Sequence, residues 1–411
     1  MPQELKVFEL AEYQPLCLPQ DALSYDEGTA IWSSYHPGKV FVEFPSPATG
    51  GQWRLTSQGW VGYLQVQEYL AIRLVPKVTL TNLFGMLEVA YRLNRFEFFD
   101  DLYQCGSLDE FFDSLAKVLA GRILDRCRKG LYCEYQTSEE RTTLLKGRLD
   151  FKQAARRPWE VRLPCVFDEH TADLEENQLL FWAMRCILRS GLCSEDTRSM
   201  VRGAYRLLNQ IVTPKPFRGE DCAGRFYNRL NDDYRSMHAL CRFFLESSGA
   251  QHEEGDRSVM PFMIDMAALF ELYVAEWLSE FGPEAYRYKP QARVHISEGE
   301  GIYFDVDLLV SDRLTGDPVL VIDTKYKTPT QPSTSDIQQV VAYAEAVGCR
   351  EAWLVYPQPV HKGVDLKVGE TRVRSVPFDI RGDLKEGGGL FSTLLAQVLE
   401  ALTVLTETAT E

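Results

Sequence analysis

The chain has 411 residues, of which 45% are hydrophobic and 25% are charged. This is the composition of an ordinary globular protein with room for two or three domains. The sequence has no run of about 18 apolar residues, and its N-terminus lacks the apolar core of a secretion signal, so we expect neither a membrane helix nor export. The ten cysteines form no C-x-x-C pair, which argues against a structural zinc site. Their scatter fits buried thiols in a reducing cytoplasm better than a disulfide framework.

The net charge of −15 is distributed unevenly along the chain. Residues 1–110 carry seven basic and 14 acidic side chains, and residues 259–411 carry 13 and 23, whereas residues 111–258 carry 24 and 22. Within the middle stretch, residues 122–162 carry 11 basic against six acidic side chains. Because salt screens exposed charges over about 10 Å, a locally basic surface can bind phosphates on an acidic protein. A solvated helix face is the alternative explanation.

Residues 1–105 predict a β-rich N-terminal domain. Short β-rich runs, such as the one at 69–74, are separated by turns that contain proline and glycine. From residue 80 to residue 93 apolar side chains recur every three or four positions, which predicts a helix with Thr79 or Thr81 as its N-cap.

Residues 106–255 predict a mainly helical, locally basic middle region. We expect its helices at residues 108–130, 174–212 and 228–247. A strand-like stretch lies between the first and second helices, and its basic side chains are candidates for contacts with DNA phosphates: Lys146, Arg148, Lys152, Arg156 and Arg157. The polar segment 249–255, which has a glycine at each end, predicts the boundary to the next domain.

Residues 256–411 predict an α/β domain in which a mixed sheet is flanked by helices. The predicted elements, in chain order, are a helix at 264–281, a strand near 291–296, two strands within 303–327, a helix at 336–346, a strand at 351–356, a strand near 371–378 and a helix near 390–405. The complete chain is therefore expected to be a multidomain α+β protein.

Four charged side chains stand out in the two strands within 303–327: Asp305 and Asp307 on the first, Asp323 and Lys325 on the second. Since side chains alternate faces along a strand, the two members of each pair point the same way. The run before Asp323 is apolar on both faces, which predicts a central strand, where a charge is costly unless it is paired, hydrogen-bonded or bound to a metal. A short hairpin loop would bring Asp307 beside Asp323 and Lys325. A surface ion pair is the alternative for Asp323 and Lys325.

Three further polar side chains belong to the predicted helices. Gln339 and Tyr343 are four residues apart and therefore share one helical face. Glu271 interrupts an apolar stretch, which fits either a functional carboxylate or a solvated polar face. Carboxylates that hold Mg²⁺, with a lysine nearby, are the parts that a metal-dependent phosphodiesterase needs.

The set Asp307, Asp323-Thr-Lys325 and Gln339-x-x-x-Tyr343 resembles the PD-(D/E)xK nuclease superfamily, in particular its branch with a Q-x-x-x-Y motif. Val306 stands where the name-giving proline would be. The chain also resembles the McrC family, the nuclease subunits of McrBC-type, methylcytosine-dependent restriction systems. The stretches that carry this resemblance are spread over residues 60–345 and include Leu74–Val78, Asn82–Leu87, Gly130–Tyr135, Lys146–Phe151, Cys165–Asn177 and Leu269–Glu271.

The resemblance implies that Mg²⁺, with Mn²⁺ as the alternative ion, is held by three carboxylates: Asp307, Asp323 and Glu271. Asp305, which shares a face with Asp307 in a regular strand, is the reserve ligand. Lys325 would assist the attacking water. The two remaining motif residues, Gln339 and Tyr343, would shape the cleft.

The resemblance also implies partners. The N-terminal domain would contact a hexameric AAA+ GTPase of the McrB type and stimulate its hydrolysis, and the complex would cut modified double-stranded DNA as a type IV antiphage defence system. The acidic charge of residues 1–110 fits protein binding better than DNA binding. The alternative is a non-catalytic adaptor that activates an NTPase and uses the nuclease fold to bind DNA.

Overall fold

The computed structural model describes residues 6–67, 69–93, 106–247, 262–295 and 303–410, with the backbone alone for residues 403–410. It has the mixed α+β, multidomain organisation that the sequence predicts. Two compact units are present: residues 1–108 together with 261–411, and residues 109–260. The predicted boundary segment 249–255 lies outside the described residues. Across the described ranges, no helix combines the length and apolarity needed to cross a bilayer.

The N-terminal region, residues 6–93, contains two small sheets and two helices. Its elements are β1 Lys6–Ala11, β2 Pro15–Leu18, α1 Tyr25–Tyr35, β3 Val40–Glu43, β4 Trp53–Ser57, β5 Trp60–Gln67, β6 Leu70–Val75 and α2 Leu80–Ala90. One sheet has the order β2-β4-β3, and the other contains β1, β6 and β5 side by side. Trp53 from the first sheet and Leu64 from the second are buried in one apolar core. The predicted helix α2 is confirmed, and the Thr79 side chain caps it by accepting a hydrogen bond from the Asn82 amide.

The middle region, residues 106–247, is mainly helical and contains one small sheet of order β7-β9-β8. Its elements are α3 Leu108–Lys129, β7 Glu134–Thr142, β8 Arg148–Leu149, α4 Phe151–Arg156, β9 Leu163–Thr171, α5 Glu175–Ser190, α6 Glu195–Asn209 and α7 Tyr234–Ser247. The stretch 174–212 is helical, as predicted, but it is divided into two helices. Gly191, with φ +71°, ends α5, and the Ser194 side chain caps α6. The third predicted helix begins at Tyr234 rather than at residue 228.

The C-terminal region, residues 262–410, is built on a six-stranded mixed sheet of order β11-β12-β13-β14-β16-β15. Its elements are β10 Phe262–Asp265, α8 Met266–Phe281, β11 Tyr286–His295, β12 Tyr303–Asp312, β13 Pro318–Thr324, α9 Thr334–Val347, β14 Glu351–Tyr356, β15 Asp365–Val368, β16 Thr371–Pro377 and α10 Leu384–Thr410. β13 lies inside the sheet, as its apolar sequence predicts, with an antiparallel neighbour in β12 and a parallel one in β14. Strands β10 and β15 were not predicted, β11 begins earlier than predicted, and α10 begins at Leu384 rather than near residue 390.

Strand β10 joins the two regions of the first unit, because it extends the N-terminal sheet. It pairs antiparallel with β5, where Met263 lies opposite Gly62. Gly62 has φ +137°, and a Cβ added there would lie 2.2 Å from the Phe262 carbonyl oxygen. Glycine is therefore required at this close backbone approach. Helix α8 follows β10 directly, and its first amide, from Met266, donates to the Gly59 carbonyl at 3.0 Å.

We expect Gly62→Ala to lower the free energy of unfolding by about 3 kcal/mol, because the new methyl group would strike the backbone of β10. Gly50→Ala is the matched control. Gly50 also has a left-handed backbone, with φ +64°, but no described atom lies within 4 Å of its added Cβ. The free energy of unfolding of the control variant should fall by about 1 kcal/mol. Urea unfolding measures both variants, and equal losses would contradict the role assigned to the close approach at Gly62.

Candidate active site

The hairpin of β12 and β13 brings two carboxylates together at the end of a buried strand. Leu308 lies opposite Ile322, so Asp307 faces the end of β13, where Asp323 and Thr324 lie. Oδ2 of Asp307 accepts hydrogen bonds from the Thr324 amide at 2.8 Å and from the Thr324 hydroxyl at 3.0 Å. Asp323 is completely buried. The hairpin predicted from the sequence is therefore present, and Thr324 is a contact of Asp307 that was not predicted.

Lys325 links Asp323 to the two motif residues of α9. Its ammonium group lies 2.7 Å from Oδ2 of Asp323 and donates a hydrogen bond to Oε1 of Gln339 at 3.0 Å. The Gln339 side-chain amide donates in turn to the Tyr343 hydroxyl at 2.7 Å. Gln339 and Tyr343 share one face of α9, as their spacing of four residues predicts. The four side chains thus form one continuous polar chain that leads away from the buried carboxylate.

Glu271 on α8 belongs to the same electrostatic cluster. Burial and then the charge of Asp307 raise the pKa of Glu271 to about 8, with a smaller rise from Asp323 and an opposing hydrogen bond from Gln291. Glu271 is half-buried, so it does not lie on a freely solvated helix face. Gln291 was not predicted as a site residue. It has a left-handed backbone, with φ +44°, inside β11, and no sequence signal marks that conformation for a glutamine.

The buried carboxylate of Asp323 is incompletely satisfied. Burial, followed by the charge of Asp307, raises the pKa of Asp323 to about 7, although Lys325 opposes the shift. Burial by itself would lower the pKa of Lys325, but the ion pair with Asp323 outweighs burial and raises it. Among the described residues, Oδ1 of Asp323 has no hydrogen-bond partner, and Oδ2 has the Lys325 ion pair alone. Such a buried oxygen costs free energy unless a further donor or a cation reaches it.

The cluster has the donor chemistry that a divalent cation requires. Mg²⁺ prefers hard oxygen ligands, and a cation would relieve the mutual repulsion among Glu271, Asp307 and Asp323. In their present positions, however, no three His, Cys, Asp or Glu side chains in the described part of the chain converge closely enough to hold an ion. The residues therefore fit Mg²⁺ by chemistry, and holding the ion would require side-chain movement.

Asp305 lies on the same strand as Asp307 but in a different setting. Its exposed carboxylate lies 3.2 Å from the guanidinium group of Arg293, which stacks on the Tyr303 ring at 4.1 Å. Asp305, Asp307 and Glu271 line one cleft of about 510 Å³, which we call the carboxylate cleft. Asp307 is hydrogen-bonded to the end of β13, whereas Asp305 is paired with Arg293. The geometry therefore favours Asp307 as the partner of Asp323.

The basic candidates for DNA contacts are all exposed and lie in the middle region: Lys146, Arg148, Lys152, Arg156 and Arg157. Arg157 pairs with Glu160 at 3.0 Å, and the Lys146 ammonium lies 5.0 Å from the Phe167 ring centre. The same segment exposes large apolar rings, including Phe151 and Trp159, each of which is 74% exposed. These residues belong to the second unit, whereas the carboxylate cluster belongs to the first.

The fold and this cluster define a multidomain α+β protein with a candidate acidic site at the end of a central strand. The family model described as the McrBC 5-methylcytosine restriction system component matches residues 55–357. The chain belongs to the McrBC family, and this confirms its resemblance to the McrC family.

Two solved structures from Thermococcus gammatolerans are similar to the chain. The first is a half-complex from the tetradecameric assembly of McrB AAA+ hexamers with bound McrC. It has 15% identity and a TM-score of 0.52, and the match covers 96% of this chain and 100% of that one. The second is the McrBC complex, with 19% identity, a TM-score of 0.43, and coverage of 67% and 88% of the two chains. The first match shows a shared fold. The second has too low a TM-score to support any further conclusion. No curated protein matches the chain.

Proposed function

We propose that the chain is the McrC-type DNA endonuclease subunit of a modification-dependent, type IV restriction complex. It cleaves DNA by metal-dependent hydrolysis of phosphodiesters, and its C-terminal region is a PD-(D/E)xK nuclease domain. The observation that carries the proposal is the cluster of Asp307, Asp323 and Lys325 at the end of a central strand, with Glu271 coupled to it. Membership of a family described as a restriction-system component supports it.

Three carboxylates hold the metal ion in this proposal: Asp307, Asp323 and Glu271. The ion is Mg²⁺, with Mn²⁺ as the alternative. When bound, the ion polarises the scissile phosphate and lowers the pKa of the attacking water. Thr324 fixes Asp307 through two hydrogen bonds, and Gln291 lies beside Glu271 and opposes the rise in its pKa.

Lys325 orients the attacking water or offsets the negative charge that develops on the phosphoryl group. Its ammonium group is held from two sides, by Asp323 and by Gln339. Tyr343 fixes the Gln339 amide and packs against the Phe304 ring at 5.1 Å. These contacts limit the positions that the Lys325 ammonium group can take, which favours its orientation toward a reacting phosphate once the carboxylates have closed on the ion.

The partner in this proposal is a hexameric AAA+ GTPase of the McrB type, which the chain binds through its N-terminal region and whose hydrolysis it stimulates. The Thermococcus assembly with the similar fold contains McrB AAA+ hexamers with bound McrC, which supports this class of partner. The substrate is modified double-stranded DNA. Its phosphates contact the exposed basic side chains of the middle region, which are Lys146, Arg148, Lys152, Arg156 and Arg157.

One observation favours a second candidate function, that of a non-catalytic adaptor which activates the NTPase and uses this fold to bind DNA. Within the ranges that the structure describes, the acidic side chains do not converge into a three-ligand set. An adaptor, however, gains nothing from the buried and incompletely satisfied Asp323 carboxylate, which destabilises the fold. We therefore favour the nuclease.

Reconstitution with a McrB-type AAA+ partner tests the proposal. We expect cleavage of methylated DNA in the presence of GTP and Mg²⁺, and no cleavage when EDTA replaces Mg²⁺, because the carboxylates then hold no ion. Unmethylated DNA of the same sequence is the control substrate and should remain intact. A complex that assembles and hydrolyses nucleotide, yet nicks no DNA at any concentration of Mg²⁺ or Mn²⁺, would support the adaptor instead.

A further inference from the structure

A second cleft, of about 850 Å³, adjoins the candidate active site through Thr324 and Lys325. It lies between the N-terminal and C-terminal regions of the first unit. Tyr13 and Lys77 line it from the N-terminal region, and Lys327 and Arg381 line it from the C-terminal region. We call it the basic cleft. Its volume is in the range of pockets that enclose a small ligand or a short piece of a polymer.

Four cationic side chains line the basic cleft on an otherwise acidic unit. Three of them are each paired with a carboxylate: Lys325 with Asp323, Lys327 with Asp336 and Arg381 with Asp379. Its charged lining residues are Lys77, Lys325, Lys327 and Arg381, and its described lining contains no acidic side chain. In contrast, acidic residues outnumber basic ones by 14 to seven in residues 1–110 and by 23 to 13 in residues 259–411. Cations gathered around one concavity present charged N–H donors to a phosphate, while the paired carboxylates weaken the field there.

Two of these cations are held in defined positions by carboxylates behind them. Nε and Nη2 of Arg381 lie 2.9 Å and 2.6 Å from the two oxygens of Asp379. The Lys327 ammonium lies 2.6 Å from Asp336. The bidentate contact with Asp379 fixes the orientation of the Arg381 guanidinium group and leaves its remaining N–H donors available to other groups. Both cations are still largely accessible, with 59% of the Arg381 side chain and 42% of the Lys327 side chain exposed.

A buried carboxylate connects the N-terminal wall of the basic cleft to the segment that carries Lys325. Glu12 is completely buried and accepts hydrogen bonds from the Lys77 amide at 3.0 Å and from the Tyr326 hydroxyl at 3.2 Å. Tyr326 directly follows Lys325 in the chain. Tyr13 has a left-handed backbone, with φ +56°, and its ring lies 4.7 Å from the Lys77 ammonium. Backbone strain of this kind persists where the surrounding structure enforces it, often beside a ligand.

We propose that the basic cleft binds the sugar–phosphate backbone of one DNA strand, on one side of the phosphate that is cut. This inference rests on the proposed nuclease function and extends it. The cleft is continuous with Lys325, its cations match a phosphate backbone, and its volume suits a few nucleotides of one strand rather than a duplex. The N-terminal region then contributes to substrate binding as well as to partner binding.

The test is the binding of a fluorescent single-stranded oligonucleotide to the full-length chain in EDTA, measured by anisotropy over a series of salt concentrations. We expect the double variant Lys77→Gln/Arg381→Gln to weaken binding by about tenfold. The slope of log K against log salt should fall by about 1.4, or about 0.7 for each lost phosphate contact on a single strand. DNA contacts elsewhere on the chain contribute equally to the affinity of the wild type and of the variants. The difference in affinity between them therefore measures the contribution of the basic cleft.

The matched control is Lys39→Gln/Arg372→Gln, which removes the same two charges outside the basic cleft. The Lys39 ammonium lies 5.5 Å from the Trp60 ring centre, much as Lys77 lies over a tyrosine. Arg372 makes a bidentate contact with Asp365 at 2.7 Å and 2.8 Å, much as Arg381 does with Asp379. The control should leave both affinity and salt slope unchanged. Equal losses in the two double variants, or no loss in either, would overturn the proposal.

Two further arms separate this proposal from its competitors. GTP is added as a competitor at constant ionic strength, and strong displacement by GTP would identify a nucleotide site instead of a DNA site. Complex formation with the AAA+ partner is measured in parallel, and loss of the complex with retained DNA binding would identify a protein-docking site. Binding in EDTA needs no catalysis. A chain that shows cleft-dependent binding but never cleaves DNA would therefore refute the nuclease function alone.

Discussion

Asp323→Asn is expected to lower the rate of DNA cleavage by the reconstituted complex by roughly a thousandfold, the upper range for losing one group of a preorganised electrostatic site. The substitution keeps the size of the side chain but removes the charge of a completely buried carboxylate. A bound cation would lose a ligand, and Lys325 would lose the ion-pair partner that lies 2.7 Å away. Nicking of a methylated plasmid in the presence of Mg²⁺ measures the effect.

The same variant should fold normally, because Oδ1 of Asp323 has no hydrogen bond to lose within the described structure. We expect the melting temperature of the metal-free protein to change little, because the gain from removing a buried charge is offset by the loss of the Lys325 ion pair. Complex formation and nucleotide hydrolysis by the partner should also be unchanged. Cleavage by Asp323→Asn at the wild-type rate would remove Asp323 from the metal site and contradict the nuclease proposal.

Asp305→Asn and Asp307→Asn form a matched pair for this experiment, because the two residues lie on one strand and line one cleft. Asp307→Asn should reduce cleavage as strongly as Asp323→Asn does. Asp305→Asn should retain most of the activity, since Asp305 is exposed and paired with Arg293. The reverse outcome would make Asp305 the ligand and would mean that β12 shifts when the site is loaded.

The contribution of Asp323 and Glu271 to the free energy of unfolding of the metal-free protein is expected to fall as the pH rises from about 4 to about 8. In the folded state the pKa of Asp323 is about 7 and that of Glu271 about 8, against ordinary values of 3.8 and 4.5. Within this window the folded state binds more protons than the unfolded state, so higher pH favours unfolding. Each extra proton contributes a slope of roughly 1.4 kcal/mol per pH unit. Below the ordinary values both states are protonated, and the stabilisation is fully present.

Mg²⁺ should reverse this trend, because the ion competes with protons for the same carboxylates. The gain in melting temperature on adding Mg²⁺ should therefore be larger near the upper end of the window than near its lower end. Chemical unfolding and thermal melting at both ends, with and without Mg²⁺, measure the two effects. The variant Glu271→Gln/Asp323→Asn should lose the Mg²⁺ effect and the part of the pH dependence that these two groups cause, whereas Asp305→Asn should keep both. An unchanged pH dependence in the double variant would show that other groups cause it.

Several features of the candidate site could be predicted from the sequence because they depend on local periodicity. Two residues that are two apart on a strand share a face, and the Asp323–Lys325 ion pair follows from that spacing. Residues four apart on a helix are neighbours, and Gln339 and Tyr343 are hydrogen-bonded as a result. The break between α5 and α6 also has a local signal, because Gly191 is followed closely by the serine that caps α6.

Other features depend on contacts between distant parts of the chain and have no local signal. Strand β10 has only four residues, and its pairing with β5 joins positions about 200 apart in the sequence. The left-handed backbone of Gln291 is stabilised by its surroundings and not by its residue type. The basic cleft needs both Lys77 and Arg381, which the sequence separates by most of its length.

The sequence by itself determined the McrBC family, the buried central strand and the faces that carry Asp323, Lys325, Gln339 and Tyr343. These properties follow from residue type and from the repeats of strands and helices, which act over a few residues. Only the tertiary structure decided that the N-terminal sheet includes a strand from the C-terminal region. Only the tertiary structure decided which carboxylates are buried away from solvent. Desolvation and strand pairing depend on the packing of segments far apart in the chain, and local sequence does not encode that packing.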